Sequence, residues 1–393
     1  MLQERLILKN FGPIKELDIE IKPLMVFIGE SGSGKSAILK LMSLLRWIHK
    51  HNNLQSFLKQ NKDISLDKLF MDNLSVSEIE EFINNTTEIT FTIDKTEYIL
   101  SNGNFIAKNI NENEVTFDKV VFLTENRGIL PYVKSNKMSL SVSSSLPHFF
   151  QDTFDNFIKA NDSRKSSDFR IEATQLVLFN EESDKNQLLI KDEKGKFSKL
   201  KLENASSGTK TALPIELIVD YYTDKFDFKE VLANAYRRAG LGSVVTQEFD
   251  KAKKLSIFIE EPELSLFPSA QRRLINRLVK DCFVENKQEN CTTRLAFATH
   301  SPYILTSLNN LLLAGETAKS KPQKKEEINK IVPKEYWLTM EQVGAFSIEN
   351  GRLKSAIYKD ENLINGDYLD NLSEEISEEF SKLLDIKYEE EGN

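Results

Sequence analysis

LMVFIGESGSGKSAILKLMSLLRWIH, residues 24–49, joins an unbroken apolar run to a Gly/Ser turn and then to a helical pattern. The run Leu24–Gly29 has no polar alternation, so it reads as a strand buried on both faces of a largely parallel sheet. After the turn, Ile38, Leu41, Met42 and Leu45 recur at helical spacing. Between them, Gly29, Glu30, Ser31, Gly32, Ser33, Gly34, Lys35 and Ser36 fit the pattern G-x-x-x-x-G-K-[ST]. Glycines let successive backbone N–H groups turn inward towards phosphate oxygens, and the helix that follows aims its positive end at the same place. Lys35 is then expected on the β- and γ-phosphates of ATP, and the Ser36 hydroxyl on Mg2+. Strand before and helix after are the context the motif requires, and they set the fold as α/β.

Such a site also needs a carboxylate near the metal and a group that activates water. IFIEEPE, residues 257–263, ends an apolar run in adjacent carboxylates, an arrangement that a bound cation makes tolerable. Glu260 is expected to hold Mg2+ through water, and Glu261 to face the γ-phosphate as general base. The next buried run, LAFATHSP, ends in His300, one of four histidines, expected to contact the γ-phosphate. Ligands of parallel α/β sheets bind at the carboxyl ends of strands, where all three motifs fall.

The 393 residues suffice for a large α/β domain with insertions, and 40% hydrophobic with 28% charged content is that of a globular chain. No apolar run approaches the length of a membrane span, and the N-terminus is not a signal peptide. Cys282 and Cys291 make no disulfide framework, which fits a reducing cytoplasm. A net charge of −8 argues against general nucleic-acid affinity. The lysines at 251, 253 and 254, and at 319, 321, 324 and 325, read as solvated loop groups. Strands are expected at 4–10, 17–21, 89–93, 97–100 and 120–127, with a hairpin at 186–204. A helix is expected from residue 206, with Pro214 close to its start. Residues 315–334 read as flexible, followed by a hairpin at 344–358 and an acidic helix at 371–386. That helix sets Ile376, Phe380 and Leu384 along one side, which is expected to be buried.

Four pieces in order, LILKNFGPIKELDIEI with GESGSGKS, then ENASSGTK, IFIEEPELSLFPSAQ and FATHSPYIL, resemble the compact ABC-type ATPases of the RecF, SMC and OLD-like group, in particular its AAA_21 class. The resemblance spans residues 1 to about 310. It implies a P-loop head over 1–314 with an N-terminal antiparallel β subdomain and a helical lid at 134–186, then a basic linker and small C-terminal elements over 315–393. It also assigns Ser206, Ser207 and Gly208 to the signature that closes over a partner's nucleotide, with Ser207 where a glycine is usual. A homodimer at minimum follows, with ATP sandwiched between two heads and a higher homo-oligomer open. Glu260 stands where aspartate is usual, which implies slow hydrolysis with ATP binding as the main signal. TENR (124–127) resembles a strand-end motif of the class, making Arg127 a site candidate. The glutamine loop of the class has no assignable position.

No long coiled-coil arm, no nuclease motif and no sign of a membrane partner accompany these pieces. The resemblance therefore implies a cytoplasmic switch of the kind found in the Septu and PARIS antiphage systems. Such a switch controls a separate effector, a nuclease or toxin, in response to a phage-derived trigger. The alternative is a RecF-like clamp that closes on DNA.

Overall fold

The computed structural model describes residues 4–57, 65–109, 116–134, 147–164, 168–180, 185–191, 197–230, 252–358, 360–366 and 377–383. The N-terminal region is antiparallel. β1 (Arg5–Phe11) and β2 (Ile14–Glu20) form a tight hairpin, and β4 (Glu88–Ile93), β5 (Thr96–Ser101) and β6 (Asn104–Lys108) extend it from the β1 side. Between them in sequence lie β3 (Leu24–Ile28), α1 (Lys35–Phe57) and α2 (Leu66–Val76).

The parallel half is built by β3 with β7 (Phe117–Leu123), β12 (Lys253–Glu260), β13 (Cys291–Thr299) and β14 (Val343–Glu349). With β15 (Arg352–Ser355) joining the halves, one sheet of eleven strands runs β6-β5-β4-β1-β2-β15-β14-β3-β13-β12-β7. The fold is therefore the α/β class the P-loop required, with an antiparallel N-terminal subdomain. Both faces of the parallel half are covered, so the stretches of its strands nearest the site, Leu24–Ile28, Val121–Leu123, Ile257–Ile259 and Leu295–Ala298, are buried and apolar. Met25 and Phe27 face α1, while Leu24, Val26 and Ile28 join the core under α3 (Leu130–Lys134), α4 (His148–Ser163), α5 (Ser207–Asp220), α6 (Pro268–Val279) and α7 (Pro302–Ser320).

A second sheet, β11-β10-β9-β8, comprises β8 (Phe169–Ile171), β9 (Leu176–Asn180), β10 (Lys185–Lys191) and β11 (Phe197–Lys201), and it leads into α5. The expected helical lid at 134–186 is thus only partly helical: α4 occupies 148–163, and strands begin at 169. Pro214 is the eighth residue of α5 rather than near its start. Having no N–H, it removes one backbone bond from a helix that burial on most sides nevertheless holds together.

Three further expectations are corrected. The boundary at 314 cuts through α7, which ends at Ser320, and a helix follows at Lys325–Ile331. β14 then pairs with β3 itself, so the C-terminal hairpin belongs to the sheet that carries the loop. The segment between is pinned by contact: a Cβ on Gly315 would lie 1.9 Å from the Leu338 carbonyl oxygen. Lys253 and Lys254 are not solvated. They open β12 and are 7% exposed, with Lys254 ion-paired to Asp94 and, at 3.5 Å, to Glu4. In the acidic helix, residues 377–383 are helical, but Phe380 is 61% exposed; Ile376 and Leu384 lie outside the described residues.

Among the described residues no helix is long and apolar enough to cross a membrane.

Candidate functional site

Register brings the motifs together. Ile28 pairs with Thr299 and Glu260 with Ala298, so the loop after β3, the carboxylates after β12 and the histidine after β13 emerge side by side. β7 ends next to β12, which adds Thr124 and Glu125 to the same rim. A cleft of ≈ 530 Å³ is lined by Gly34, Lys35, Ser36, Glu125, Glu261 and His300, among others.

Gly34 sits at φ +103°, and a Cβ there would meet Pro13 Cγ at 2.8 Å, so the loop needs glycine at its return into α1. Lys35 is the first residue of α1, and its buried Nζ turns back to donate to the carbonyl oxygens of Gly29 (2.8 Å) and Glu30 (2.6 Å). Burial pushes its pKa down to about 8, although Glu261, Glu263 and Glu30 oppose the shift. The ammonium is thus caged in its own loop, beside a helix N-terminus with no acidic residue in its first turn.

The Glu260 carboxylate is 5% exposed. It accepts a hydrogen bond from the Ser36 hydroxyl, and its Oε2 accepts from the Glu125 N–H at 3.3 Å. Burial raises its pKa, opposed by Lys40, Ser36 and the Glu125 N–H. A hydroxyl and a carboxylate are oxygen donors suited to a hard divalent cation. Among the described residues no three His, Cys, Asp or Glu converge as a metal site, so such a cation would complete its shell from phosphate and water.

Glu261 takes a left-handed conformation at φ +40°, which is uncommon and strained for a residue with a side chain. Its N–H donates to Ala298 O at 3.1 Å, and its Oε1 lies 3.3 Å from His300 Nε2. Both side chains are about 30% exposed and face the cleft. Arg127, flagged by sequence as a site candidate, is fully buried and reaches no cleft-lining side chain. It donates instead to the carbonyl oxygens of Thr124, Thr211, Glu260 and Glu261, at 2.6 to 3.1 Å. Its guanidinium therefore ties the ends of β7 and β12 to α5.

Two residues at the rim were missed by sequence reasoning. Glu125 lines the cleft where β7 ends, and TENR was the only signal for it. Glu263, third carboxylate of EEPE, accepts at Oε1 from the His300 N–H at 2.6 Å and from Thr299 Oγ1 at 2.9 Å. The repeated glutamate was visible, but its contact crosses 37 residues to another strand.

Ser206 caps α5, its Oγ accepting from the Thr209 N–H at 3.3 Å. Ser206 and Ser207 are exposed, whereas Gly208 is buried against the turn after Glu263: a Cβ there would approach Ser265 O to 2.7 Å. Thr211 Oγ1 donates to Leu264 O at 2.8 Å in the same seam. Ser206–Gly208 do not line the cleft that holds Lys35 and Glu261. Within one chain, the fold joins the P-loop, Glu260, Glu261 and His300, and leaves the serines facing outwards.

No protein-family model matches the chain, and no curated protein matches it. Among solved structures it is similar to an SMC head domain from Thermotoga maritima, at 12% identity and TM-score 0.39, over 91% of this chain and 100% of that one. It is also similar to an Smc head domain with an extended coiled coil bound to the C-terminal domain of ScpA, derived from Pyrococcus furiosus (11%, TM-score 0.38, 95% and 98% covered). A dimeric bacterial ABC transporter cassette is more distant still (12%, TM-score 0.30, 89% and 96% covered).

Proposed function

We propose that the chain is an ATP-binding switch that hydrolyses ATP slowly and works as a dimer with nucleotide sandwiched between two heads. The observation that carries this reading is the convergence of Lys35, Ser36 and the Glu261–His300 pair in one cleft, with Glu260 bonded to Ser36 in the adjoining pocket that shares Ser36, Lys40 and Glu125.

Phosphates would occupy the loop, with Lys35 exchanging the Gly29 and Glu30 carbonyls for β- and γ-phosphate oxygens. Ser36 and Glu260 would hold Mg2+, which when bound neutralises charge on the phosphates. Glu261 accepts the proton of the attacking water while its oxygen bonds to the γ-phosphorus and the bond to the β-phosphate oxygen breaks, giving ADP and phosphate. His300, beside Glu261, contacts the γ-phosphate. On the far side of the loop, a cleft of ≈ 810 Å³ between Ser31–Ser33 and the Asn350–Gly351 turn offers room for the nucleoside. The outward Ser206 and Ser207 are free to meet the nucleotide of a second copy.

By the resemblance carried in the motifs, the switch belongs to antiphage defence and governs a separately encoded nuclease or toxin. The test is co-expression with the product of the adjacent gene under phage challenge. Protection lost in Lys35→Ala but kept in Glu261→Gln fits binding as the signal. Protection that survives Lys35→Ala removes the nucleotide from the mechanism.

A further inference from the structure

The geometry points to Glu263 as the positioning residue of this site: its carboxylate grips the main chain of His300 and so sets the contact between His300 and Glu261. This inference rests on the ATPase reading above. Glu263 leaves the chain two residues after Glu261, in a turn closed by Leu264 N–H to Glu261 O (3.1 Å) and Leu266 N–H to Glu263 O (2.9 Å). From that turn it reaches across to the end of β13. There Oε1 takes both the His300 N–H and the Thr299 hydroxyl. One residue therefore belongs to the turn after β12 and fixes the end of its neighbour.

The cost of this arrangement argues for a role beyond packing. Glu263 Oε2 is buried and has no hydrogen-bond partner. Leaving a carboxylate oxygen in that state is unfavourable, and an apolar residue of similar size would avoid it. Burial also raises its pKa, and Glu261 nearby adds to the effect. Arg127 and Lys35 lend it favourable charge at longer range, but the contact it makes with another strand is the Oε1 grip, which acts on the backbone of the residue whose ring lies 3.3 Å from Glu261. Arg127 holds the Glu260 and Glu261 carbonyls from below; Glu263 holds His300 from beside them. Together they leave Glu261 and His300 little freedom to drift apart.

Three variants and two readouts test this. Glu263→Gln keeps an Oε1 acceptor and is expected to retain kcat within about threefold. Glu263→Leu removes the grip, and a displaced His300 is expected to lower kcat about 100-fold with KM for ATP nearly unchanged. Glu263→Asp keeps the charge but falls one methylene short, and is expected to follow Leu rather than Gln; it also serves if Glu263→Leu does not fold. The second readout needs no nucleotide. With four histidines in the chain, the His300 ring resonance can be assigned through His300→Ala. It is expected to move in Glu263→Leu and Glu263→Asp and to stay in Glu263→Gln. Equal losses in Gln and Leu, or an unmoved His300 resonance in Leu and Asp, overturn the inference. If the wild-type chain fails to hydrolyse ATP, the ATPase reading falls, and the resonances still decide whether Glu263 positions His300.

Discussion

Arg127 Nη2 donates to the carbonyl oxygen of Glu261 at 2.6 Å, from a position with no exposed surface. A buried guanidinium is expensive: burial pushes its pKa down to about 10 even with Glu263, Glu260, Glu261 and Glu125 nearby. Its donors go to backbone rather than to carboxylates, so the group shapes the strand ends and leaves the acidic side chains to the cleft. Glu261 is left-handed at φ +40°, a conformation that persists only where surroundings enforce it.

Arg127→Leu is expected to destabilise the fold by about 3–5 kcal/mol, because it strands four carbonyl oxygens and leaves buried carboxylates without their cation. Arg127→Lys should recover part of this, since an ammonium cannot span the same fork of acceptors. Urea denaturation of the two variants measures the difference. A loss below about 1 kcal/mol for Leu would show that the strand ends do not depend on Arg127.

Lys35 gives a pH dependence. Its pKa lies near 8 in the folded chain against 10.5 ordinarily, so the folded state binds this proton less tightly than the unfolded one. The buried ammonium therefore costs stability below about pH 8, and the cost fades as pH rises towards 10.5. Phosphate needs the charged form. Above pH 8, ATP binding is expected to take up a proton, and affinity to weaken by up to about tenfold per pH unit. Calorimetry at pH 9 in buffers of different ionisation enthalpy measures the uptake. No uptake, with flat affinity from pH 7 to 9, would contradict the caged lysine.

The strand ends were legible in the sequence because each carries its chemistry in contiguous residues: GESGSGK, EEPE, ATHS. Contacts across the sheet were not. Lys254 looked like a loop lysine because its partner Asp94 is 160 residues away. Residues 315–334 looked flexible because their composition is polar. They are helical to Ser320 and again over Lys325–Ile331, and contacts with the segment that follows, Gly315 against Leu338 and Trp337 Nε1 on Val332 O, are not written in composition. The hairpin at 344–358 was read correctly as local structure, but its pairing with β3 is a non-local event that periodicity does not encode. Arg127 was a site candidate only through its place in a strand-end motif, and its partners are the carbonyl oxygens of Thr124, Thr211, Glu260 and Glu261, which no local pattern shows.

Exposure of Ser206 at the tip of α5 leads to a prediction about assembly. Ser206→Cys combined with Ser31→Cys, in a Glu261→Gln background, is expected to crosslink between copies when ATP is present and not when it is absent. Ser31 is exposed where the loop borders the cleft and Ser206→Cys gives up the cap bond to Thr209, so each single cysteine variant is first checked for folding and ATP binding. Lys35→Ala in the same background should abolish the crosslink. ATP binding without any crosslink would remove the sandwiched dimer.

Asp118 offers a last test, at the opposite end of β7 from the site. It is 5% exposed, and neither carboxylate oxygen has a hydrogen-bond partner, although Arg46, His49 and Lys254 are near enough to act on it. Burial raises its pKa above 3.8, against which Lys254, His49 and Arg46 pull, while Asp94 adds to the rise. A raised carboxyl pKa means the folded state favours the proton, so the cost of Asp118 builds as pH rises above 3.8 and is complete once pH passes the folded value. Asp118→Asn resembles the protonated form at every pH. It is therefore expected to stabilise the chain at pH 7 by about 1–3 kcal/mol, with the gain closing as pH falls towards 4. Urea denaturation at pH 7 and pH 4.5 gives both numbers. A variant less stable than wild type at pH 7 would mean that Asp118 is ionised and bound to Lys254 and Arg46, with the opposite pH trend.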